Sequence, residues 1–326
     1  MRKWVYILIP SILLVAGAII CAVRWRAWFM MPQEPVWTGD SIAYVFPTFG
    51  RDSVAGFERT DAGWQDTISP ESLDIIVLGD IHNRLEQADY DTLAVRLPQA
   101  DAVAQAGDWM ERGQRYYQQL LFREWTHSAL CGKPVIVCAG NHEYSKGIHK
   151  TLSPIWAETF PIAEQGRSEL VTGATYYVDF PRLRFIVIDT NPMERIVTMT
   201  RTLTWLHEVM DNAGGRFIVV MMHHPVYSAA KGRVNPTVYG TFRYALGKAD
   251  LVIAGHDHSY MRKYPFVLLN ASGRPKPQRK TLHAEVTDSI PVYGLLSIDS
   301  EHSSLSFTAY RFDNGAIVDS LHVTHD

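Results

Sequence analysis

Five short apolar runs, each followed at once by Asp, Asn or His, limit the folds that are open to this chain. The runs are LDIIVLG, ADAVAQAG, PVIVCAG, RFIVVMM and ADLVIAG, and each has the length and composition of a buried strand. In open α/β sheets, binding sites form in the crevice beyond the carboxyl ends of the strands. The polar residues that follow the runs are Asp80 with His82, Asp108, Asn141 with His142, His223 with His224, and His256 with His258. The sequence therefore predicts one site that is assembled from several strand ends.

The segments between and after these runs indicate the fold class. Helical spacing of apolar side chains is found at residues 114–129, 201–212 and 237–247. A hairpin is predicted to turn at Pro181-Arg182, and after about Pro291 the pattern is purely β, with a second hairpin turn at Asn314-Gly315. Alternating strands and helices followed by a β-rich end predict an α/β fold (an α+β sandwich) of two mixed β-sheets flanked by helices.

The composition is that of a globular protein without an excess of basic residues. Hydrophobic residues make up 47% of the 326 positions and charged residues 20%, which argues against disorder. The formal net charge is -3, so no nucleic-acid partner is expected. The cysteines Cys21, Cys131 and Cys138 do not form a disulfide framework.

An uncharged segment near the N-terminus predicts a membrane anchor. Trp4–Val23 is long enough, at about 1.5 Å per residue, to cross the hydrocarbon core of a bilayer. Ile19 and Ile20 fit a cleavage site poorly, so an uncleaved transmembrane helix is favoured over a cleaved signal peptide. The α-amine, Arg2 and Lys3 precede the segment and slightly outnumber the charges that follow it, which favours an extracytoplasmic main domain.

The chain is predicted to divide into three parts. Residues 1–31 form the anchor, residues 32–72 a linker that leads into the domain, and residues 73–326 the main domain, where the strand and helix patterns begin. Within the main domain, the basic segment Ser272–Lys280 either attracts an anionic substrate to the rim of the site or forms a solvated surface loop. The second interpretation is favoured, because charged runs are usually solvated.

The residue types at the strand ends indicate the chemistry of the site. No cysteine accompanies them, which argues against a structural zinc site. The Asp, Asn and His side chains outnumber the ligands of one tetrahedral ion and suit two ions that share a carboxylate. Mixed imidazole and oxygen ligands favour Zn, Mn or Fe over Ca. Two such ions roughly 3.5–4 Å apart would hold a bridging hydroxide and support in-line displacement at phosphorus.

The order of the motifs resembles that of the calcineurin-like metallophosphoesterase superfamily. The series is D-x-H, G-D-x-x-E-R-G, G-N-H-E, H-x-P and G-H-x-H, between about Ile75 and Ser259. The resemblance implies a four-layer fold, with two sheets between helices and the metals at one edge. It also implies the ligand sets: Asp80, His82 and His258 for the first metal, Asp108 as the bridge, and Asn141, His223 and His256 for the second metal.

Other residues receive roles from the same resemblance. His142 would stabilise the phosphoryl oxygens or protonate the leaving group, and Glu111 would orient His142. Arg112 matches the phosphate-clamping arginine of the phosphoprotein phosphatase branch, a task that suits a planar guanidinium. His224 is expected to support the site or contact the substrate, or else to be structural. Purple acid phosphatases have Tyr at the position of Glu111, so no iron–tyrosinate charge transfer is expected.

The sequence thus predicts a membrane-anchored metallophosphoesterase with two divalent or trivalent transition-metal ions (Mn, Zn or Fe). Its substrate would be a phosphorylated small molecule or a lipid-linked phosphate, present as a monoester, diester or pyrophosphate and attacked by a metal-bridging hydroxide. One alternative is a non-catalytic relative that binds a partner or a phosphorylated ligand. Another is a nuclease of the same fold, which the charge balance does not support. The oligomeric state is left open.

Overall fold

The computed structural model describes most of the chain after residue 44. The described residues are 45–96, 100–113, 115–126, 130–145, 150–162, 166–168, 174–192, 196–271, 275–279 and 284–325. The predicted anchor at residues 1–31 and the predicted linker as far as residue 44 lie outside them. Among the described residues, no helix combines the length and the apolar character that crossing a bilayer requires.

Strands and helices alternate along most of the described chain. The strands are β1 (Phe57–Thr60), β2 (Gly63–Asp66), β3 (Ser72–Leu78), β4 (Ala102–Gln105), β5 (Val135–Val137), β6 (Tyr176–Asp179), β7 (Leu183–Ile188), β8 (Phe217–Met222), β9 (Leu251–Ala254), β10 (Tyr260–Lys263), β11 (Phe266–Leu268), β12 (Val286–Asp288), β13 (Val292–Asp299), β14 (Ser304–Arg311) and β15 (Ile317–Thr324). The helices are α1 (Gln87–Arg96), α2 (Arg115–Thr126), α3 (Pro154–Thr159), α4 (Ile196–Asp211) and α5 (Pro236–Leu246).

Two large mixed sheets contain most of these strands. Their strand orders are β15-β14-β13-β3-β4-β5 and β12-β10-β11-β9-β8-β7-β6. Strands β3, β4 and β5 run parallel in the first sheet, and β7, β8 and β9 run parallel in the second. The C-terminal strands β13 to β15 extend the first sheet as antiparallel neighbours. Because parallel strands end at the same edge of a sheet, the loops after β3, β4 and β5 lie side by side, as do those after β8 and β9.

The alternation of side chains along the central strands produces four layers. Ile75 of β3 and Val219 of β8 lie in the core between the two sheets. Their neighbours face the other way, so that Ile76 packs in a cluster with side chains of α1, α2 and α3, and Val220 packs with side chains of α4 and α5. Both faces of each sheet are therefore buried, which explains why the sequence runs are continuously apolar. The predicted pair of mixed sheets flanked by helices is confirmed.

The elements that periodicity predicts are present, with one displaced boundary. The predicted strands and the hairpin at Pro181-Arg182 are confirmed, and the predicted helices at 114–129 and 237–247 contain α2 and α5. Helix α4 begins at Ile196, before the predicted start at residue 201. Ile196 and Val197 are 72% and 57% exposed, so the first turn has no buried stripe that would reveal the helical period.

Several short elements were not predicted. Helices α1 and α3 and strands β10 to β12 lack a long periodic pattern, and the hairpin β1–β2 lies in the segment that was interpreted as a linker. The described part of that segment belongs to the folded domain, since Phe57 of β1 and Trp64 of β2 pack with Phe49 in the core between the sheets.

Candidate metal centre

Loops at the carboxyl ends of parallel strands bring the predicted polar side chains to one place. Asp80 and His82 follow β3, Asp108 follows β4, Asn141 and His142 follow β5, His223 follows β8, and His256 and His258 follow β9. The structure brings all of the predicted metal ligands into two adjoining clusters, because the two sheets end at a common edge.

Several of these residues have a backbone conformation that is rare for residues with a side chain. The dihedral φ is +54° at Asp80, +53° at His82 and +55° at Asp108. Among the described non-glycine residues with positive φ, only Ser303 lies away from these strand ends. Each such residue costs roughly 1 kcal/mol or more, and this kind of strain concentrates at sites where function fixes the direction of a side chain.

Asp80, His82 and His258 form the first cluster. Nε2 of His258 lies 3.5 Å from Oδ1 of Asp80 and 3.3 Å from Nε2 of His82. Oδ2 of Asp80 accepts the main-chain N–H of His256 at 2.7 Å. Oδ1 is buried and has no hydrogen-bond partner among the described residues. A buried carboxylate oxygen that faces two imidazole nitrogens and lacks a donor is suited to a cation.

His223, Asn141 and His256 form the second cluster. Nδ1 of His223 donates to the carbonyl oxygen of Ala106 at 2.9 Å, so the lone pair of Nε2 is directed into the site. This Nε2 atom lies 3.2 Å from Oδ1 of Asn141 and 3.2 Å from Nδ1 of His256. Three atoms with lone pairs thus converge on one position, as they do around a metal ion.

Asp108 lies between the two clusters. Its Oδ2 atom is 3.2 Å from Nε2 of His223 in the second cluster and 3.6 Å from Nε2 of His82 in the first. Its Oδ1 atom accepts the main-chain N–H of His142 at 2.9 Å, which fixes the rotation of the carboxylate. One carboxylate oxygen is therefore placed to be shared by two cations.

The pKa values in the site are governed by burial and by the pairing of Asp108 with His223. Burial raises the pKa of Asp80 to about 8 and lowers the pKa of His82 to about 3. Burial also opposes protonation of His223, but the Asp108 carboxylate overcomes it and raises the pKa of His223 to about 9. In the metal-free protein, Asp80 and His223 therefore hold protons at positions where metal cations would supply positive charge. Its donor set of carboxylates, one amide and imidazoles fits two transition-metal ions.

Two buried carboxylates outside the ligand set hold the loops in place. Glu143 accepts main-chain N–H groups from Gly140 at 2.6 Å and Asp108 at 2.9 Å, and so joins the loops after β5 and β4. Asp257 accepts the main-chain N–H of Ala229 at 2.6 Å and joins the loop after β9 to the loop after β8. The sequence predicted no role for Glu143 or Asp257, although Glu143 is the last residue of the G-N-H-E motif.

The motif glycines allow the loops to approach the ligands closely. A Cβ atom on Gly140 would lie 2.2 Å from Oδ1 of Asp108, and one on Gly255 would lie 2.7 Å from Oδ2 of Asp80. Both distances are shorter than the contacts that Cβ atoms make in proteins, so a side chain at either position would displace a carboxylate of the site.

His142 and Glu111 are neighbours, but their contact differs from the predicted one. Nδ1 of His142 lies 2.7 Å from the main-chain carbonyl oxygen of Glu111, which leaves Nε2 facing the cavity, 4.0 Å from Oδ2 of Asp108. The Glu111 carboxylate instead accepts a hydrogen bond from Arg84 at 2.6 Å and lies 3.5 Å from Nδ1 of His82. The expected orienting acid of His142 is therefore replaced by a carbonyl group, and the side chain of Glu111 orients His82 and Arg84.

A cavity of about 410 Å³ opens above the two clusters. The cations that line it are Arg84, Arg233 and Lys276. Arg112, the predicted phosphate clamp, is not among the described residues that line the cavity, whereas Arg84 is. Lys276 belongs to the basic segment for which a solvated surface loop was favoured, so that interpretation fails for this residue.

His224 lies behind the second cluster. Its Nδ1 atom is 2.8 Å from the hydroxyl oxygen of Thr190, and its ring centroid is 4.4 Å from that of His256. Burial lowers the pKa of His224 to about 3, so the ring is neutral at physiological pH. His224 does not line the cavity within the described part of the chain and supports the His256 ring from the side.

A comparison with protein families agrees with this geometry. A family model described as calcineurin-like phosphoesterase matches residues 73–260, which is more than half of the chain. This match, the two-sheet fold and the paired Asp and His clusters define a metal-dependent phosphohydrolase. The chain belongs to the calcineurin-like phosphoesterase family.

Solved structures with a similar fold have low sequence identity to this chain. Purple acid phosphatase PPD1 from yellow lupin (Lupinus luteus) seeds is 15% identical with a TM-score of 0.62, and the match covers 78% of this chain and 54% of the lupin chain. GAP50, the anchor in the inner membrane complex of Plasmodium, is 12% identical with a TM-score of 0.54, and the match covers 78% of this chain and 89% of that chain. At these identities the similarity concerns the fold alone. A search of curated proteins found no match.

Proposed function

We propose that this chain is a membrane-anchored phosphoesterase that uses two transition-metal ions (Mn, Zn or Fe) to hydrolyse a phosphate ester. The supporting observation is the position of Asp108, whose Oδ2 atom faces an imidazole of each cluster, at 3.6 Å from His82 and 3.2 Å from His223. A carboxylate shared by two ligand sets is typical of two-metal sites that clamp an in-line displacement at phosphorus. Monoesters, diesters and pyrophosphates all fit this chemistry.

The side chains around the clusters would carry out the remaining steps. When bound, the ions would lower the pKa of water and neutralise charge on the phosphoryl oxygens. The carbonyl oxygen of Glu111 fixes His142 so that Nε2 faces the cavity, where it can deliver a proton to the leaving alcohol. Arg84, held by the Glu111 carboxylate, is placed to bind a phosphoryl oxygen while negative charge develops there.

The direct test measures metal content and turnover on the same preparation. The full chain, reconstituted with Mn²⁺ or Zn²⁺, should bind about two ions per chain and hydrolyse an aryl phosphate or a bis-aryl phosphate. Asp108→Asn should remove most of the activity and lower the metal content, because the amide cannot supply the shared negative charge. Asp211→Asn, on the exposed face of α4, is the matched control and should retain both properties. Full activity of Asp108→Asn would refute the proposal.

A non-catalytic binding role is the second candidate, and one comparison favours it. GAP50 is an anchor in a membrane complex. The match to GAP50 covers 78% of this chain, the same share as the match to the lupin phosphatase. The complete ligand set of this chain, together with His142 facing the cavity, supports hydrolysis over a purely structural use of the fold. Two bound ions without turnover on any phosphate ester would favour the binding role.

Membrane anchoring rests on the uncharged segment Trp4–Val23. An uncleaved helix would keep the domain at the bilayer surface, with the domain on the extracytoplasmic side, and would bring lipid-linked phosphates within reach. The chain should then remain in the membrane fraction after an alkaline wash, and protease added to intact cells or spheroplasts should digest the domain. Release of the full-length chain by the wash would contradict anchoring.

A further inference from the structure

One wall of the cavity carries two cations that are held by the same carbonyl oxygen. Nη1 of Arg233 donates to the carbonyl oxygen of His256 at 3.1 Å, and Nζ of Lys276 donates to it at 2.9 Å. The main-chain N–H of Lys276 also donates to the carbonyl oxygen of His258, at 3.1 Å. The two positive charges are thus fixed side by side against the loop that carries two predicted metal ligands.

These cations differ from Arg84, the third cation that lines the cavity. Arg84 forms an ion pair with the Glu111 carboxylate at 2.6 Å, so its charge is largely offset. Within the described part of the chain, neither Arg233 nor Lys276 forms an ion pair with a carboxylate.

The ring of His256 explains how Arg233 becomes available to a ligand. Arg233 also contacts Nε2 of His256, while Nδ1 of the same ring faces His223 in the second cluster. An imidazole that binds a metal through Nδ1 keeps its proton on Nε2. Nε2 of His256 then no longer accepts a hydrogen bond from Arg233, and the guanidinium of Arg233 is free to bind an anion in the cavity.

The charge balance of the site leaves a positive charge at Arg233 and Lys276. Asp80 and Asp108 offset half of the charge of two divalent cations, a phosphate dianion offsets the other half, and the attacking hydroxide offsets one of the two further positive charges. The remaining positive charge favours a further anionic group. The cavity has room for one, since its volume of about 410 Å³ compares with about 30 Å³ for a single water molecule.

We propose that Arg233 and Lys276 form a subsite for a second phosphoryl group, and that the substrate is a diphosphate in which this group adjoins the one that reacts. The inference rests on the proposed phosphoesterase function and names the substrate class of that site. Water adds to the terminal phosphorus and loses a proton to solvent, while the bond from this phosphorus to the bridging oxygen breaks. The bridging oxygen keeps the electron pair of that bond, so the products are inorganic phosphate and the monophosphate that keeps the organic group.

The test compares substrates that differ by one phosphate. AMP and ADP share one nucleoside, and release of inorganic phosphate can be measured for both at a fixed concentration of free Mn²⁺. We expect kcat/KM for ADP to exceed that for AMP at least tenfold. Arg233→Ala and Lys276→Ala should each raise KM for ADP at least tenfold, leave kcat within threefold and leave KM for AMP within threefold. Lys276→Arg, which keeps the charge, should restore most of the preference.

Two controls separate binding of an anion from structural effects. Lys231→Ala removes a cation from an exposed position two residues before Arg233 and should leave the preference for ADP intact. Calorimetric titration of the His142→Gln protein with AMP and ADP gives the same comparison without turnover, at a metal content that is measured for every variant. An equal affinity for AMP and ADP, or a preference that survives both alanine variants, would overturn the proposal. Absence of turnover on every ester would overturn the phosphoesterase function, while the titration would still decide whether the subsite exists.

Discussion

The Glu143 carboxylate connects two loops of the metal centre through main-chain hydrogen bonds. Its oxygens accept N–H groups of Gly140 at 2.6 Å, Asp108 at 2.9 Å and Met110 at 3.1 Å. Burial raises the pKa of Glu143 to about 7, and the N–H donors act against this rise by stabilising the ionised form. Together with the hydrogen bond from the main-chain N–H of His142 to Asp108, this side chain holds the loops of Asp108 and Asn141 at a fixed spacing.

We expect Glu143→Gln to weaken metal binding and to destabilise the protein. A carboxamide has one acceptor oxygen and would place its NH₂ group against a main-chain N–H, so at least one buried donor loses its partner, at a cost of about 1–3 kcal/mol. Loss of such a support typically lowers metal affinity about 10–100-fold. Titration with Zn²⁺ and unfolding in urea measure the two effects. Glu208→Gln, on the exposed face of α4, is the control, and an unchanged Zn²⁺ affinity of Glu143→Gln would contradict the supporting role.

Arg84 and Arg112 give a second test at the scale of single residues. Arg84 lines the cavity and Arg112 does not, although the motif places the phosphate clamp at Arg112. A hydrogen bond to a charged group contributes roughly 1.5–3 kcal/mol, so Arg84→Ala should lower kcat/KM for an aryl phosphate about tenfold to a hundredfold. Arg112→Ala should change it less than about threefold. The reverse order of the two effects would restore Arg112 as the clamp.

The sequence predicts the metal ligands of this site better than its cations. The ligands sit within a few residues of a strand end, so local motifs fix both their type and their position. Arg233 and Lys276 lie on long loops, and only the tertiary path of those loops brings them to His256. Arg84 follows His82 by two residues and could have been considered, but nothing in the sequence shows that its side chain turns toward the cavity.

At the scale of elements, the sequence predicts the long buried strands but not the short peripheral ones. Strands β3, β7, β8 and β9 are buried on both faces, so composition alone identifies them. The hairpin β1–β2 has strands of four residues each, too short for a clear alternation. Helix α1 has few apolar side chains, of which Tyr90 and Leu93 are buried, and it is stabilised by packing on β3 and its neighbours and not by its own sequence pattern.

Helix α5 contains a glycine whose replacement should stabilise the protein. Gly240 lies in the interior of Pro236–Leu246 on the exposed side, and a Cβ atom there would meet nothing within 4 Å. Alanine costs less backbone entropy in a helix, so Gly240→Ala should raise the free energy of unfolding by about 0.5–1 kcal/mol. Urea unfolding measures the change, and activity should not change because Gly240 is not part of the site. A loss of stability would show that the helix is not regular at this position.

At the scale of the whole molecule, the metal centre couples folding to pH. Burial raises the pKa of Asp80 from 3.8 to about 8. For His223 burial acts downward, yet Asp108 raises the pKa from 6.5 to about 9. In an unfolded chain both groups have largely lost their protons above pH 6.5, whereas the folded metal-free protein retains them. The folded state therefore binds more protons than the unfolded state between about pH 6.5 and 8.

This difference predicts that metal-free protein loses stability as pH rises from about 6.5 to 8, because the free energy of unfolding falls wherever the folded state holds the extra protons. Binding of Zn²⁺ displaces these protons, so the stabilisation by metal should grow over the same range. Urea unfolding at several pH values, with chelator and with Zn²⁺, measures both trends. Asp80→Asn cannot take up a proton at this position and should flatten the slope of the metal-free protein. Metal-free stability that stays constant or rises with pH would mean that the strand-end carboxylates are already ionised in the fold, and that the two clusters hold their charges without a cation.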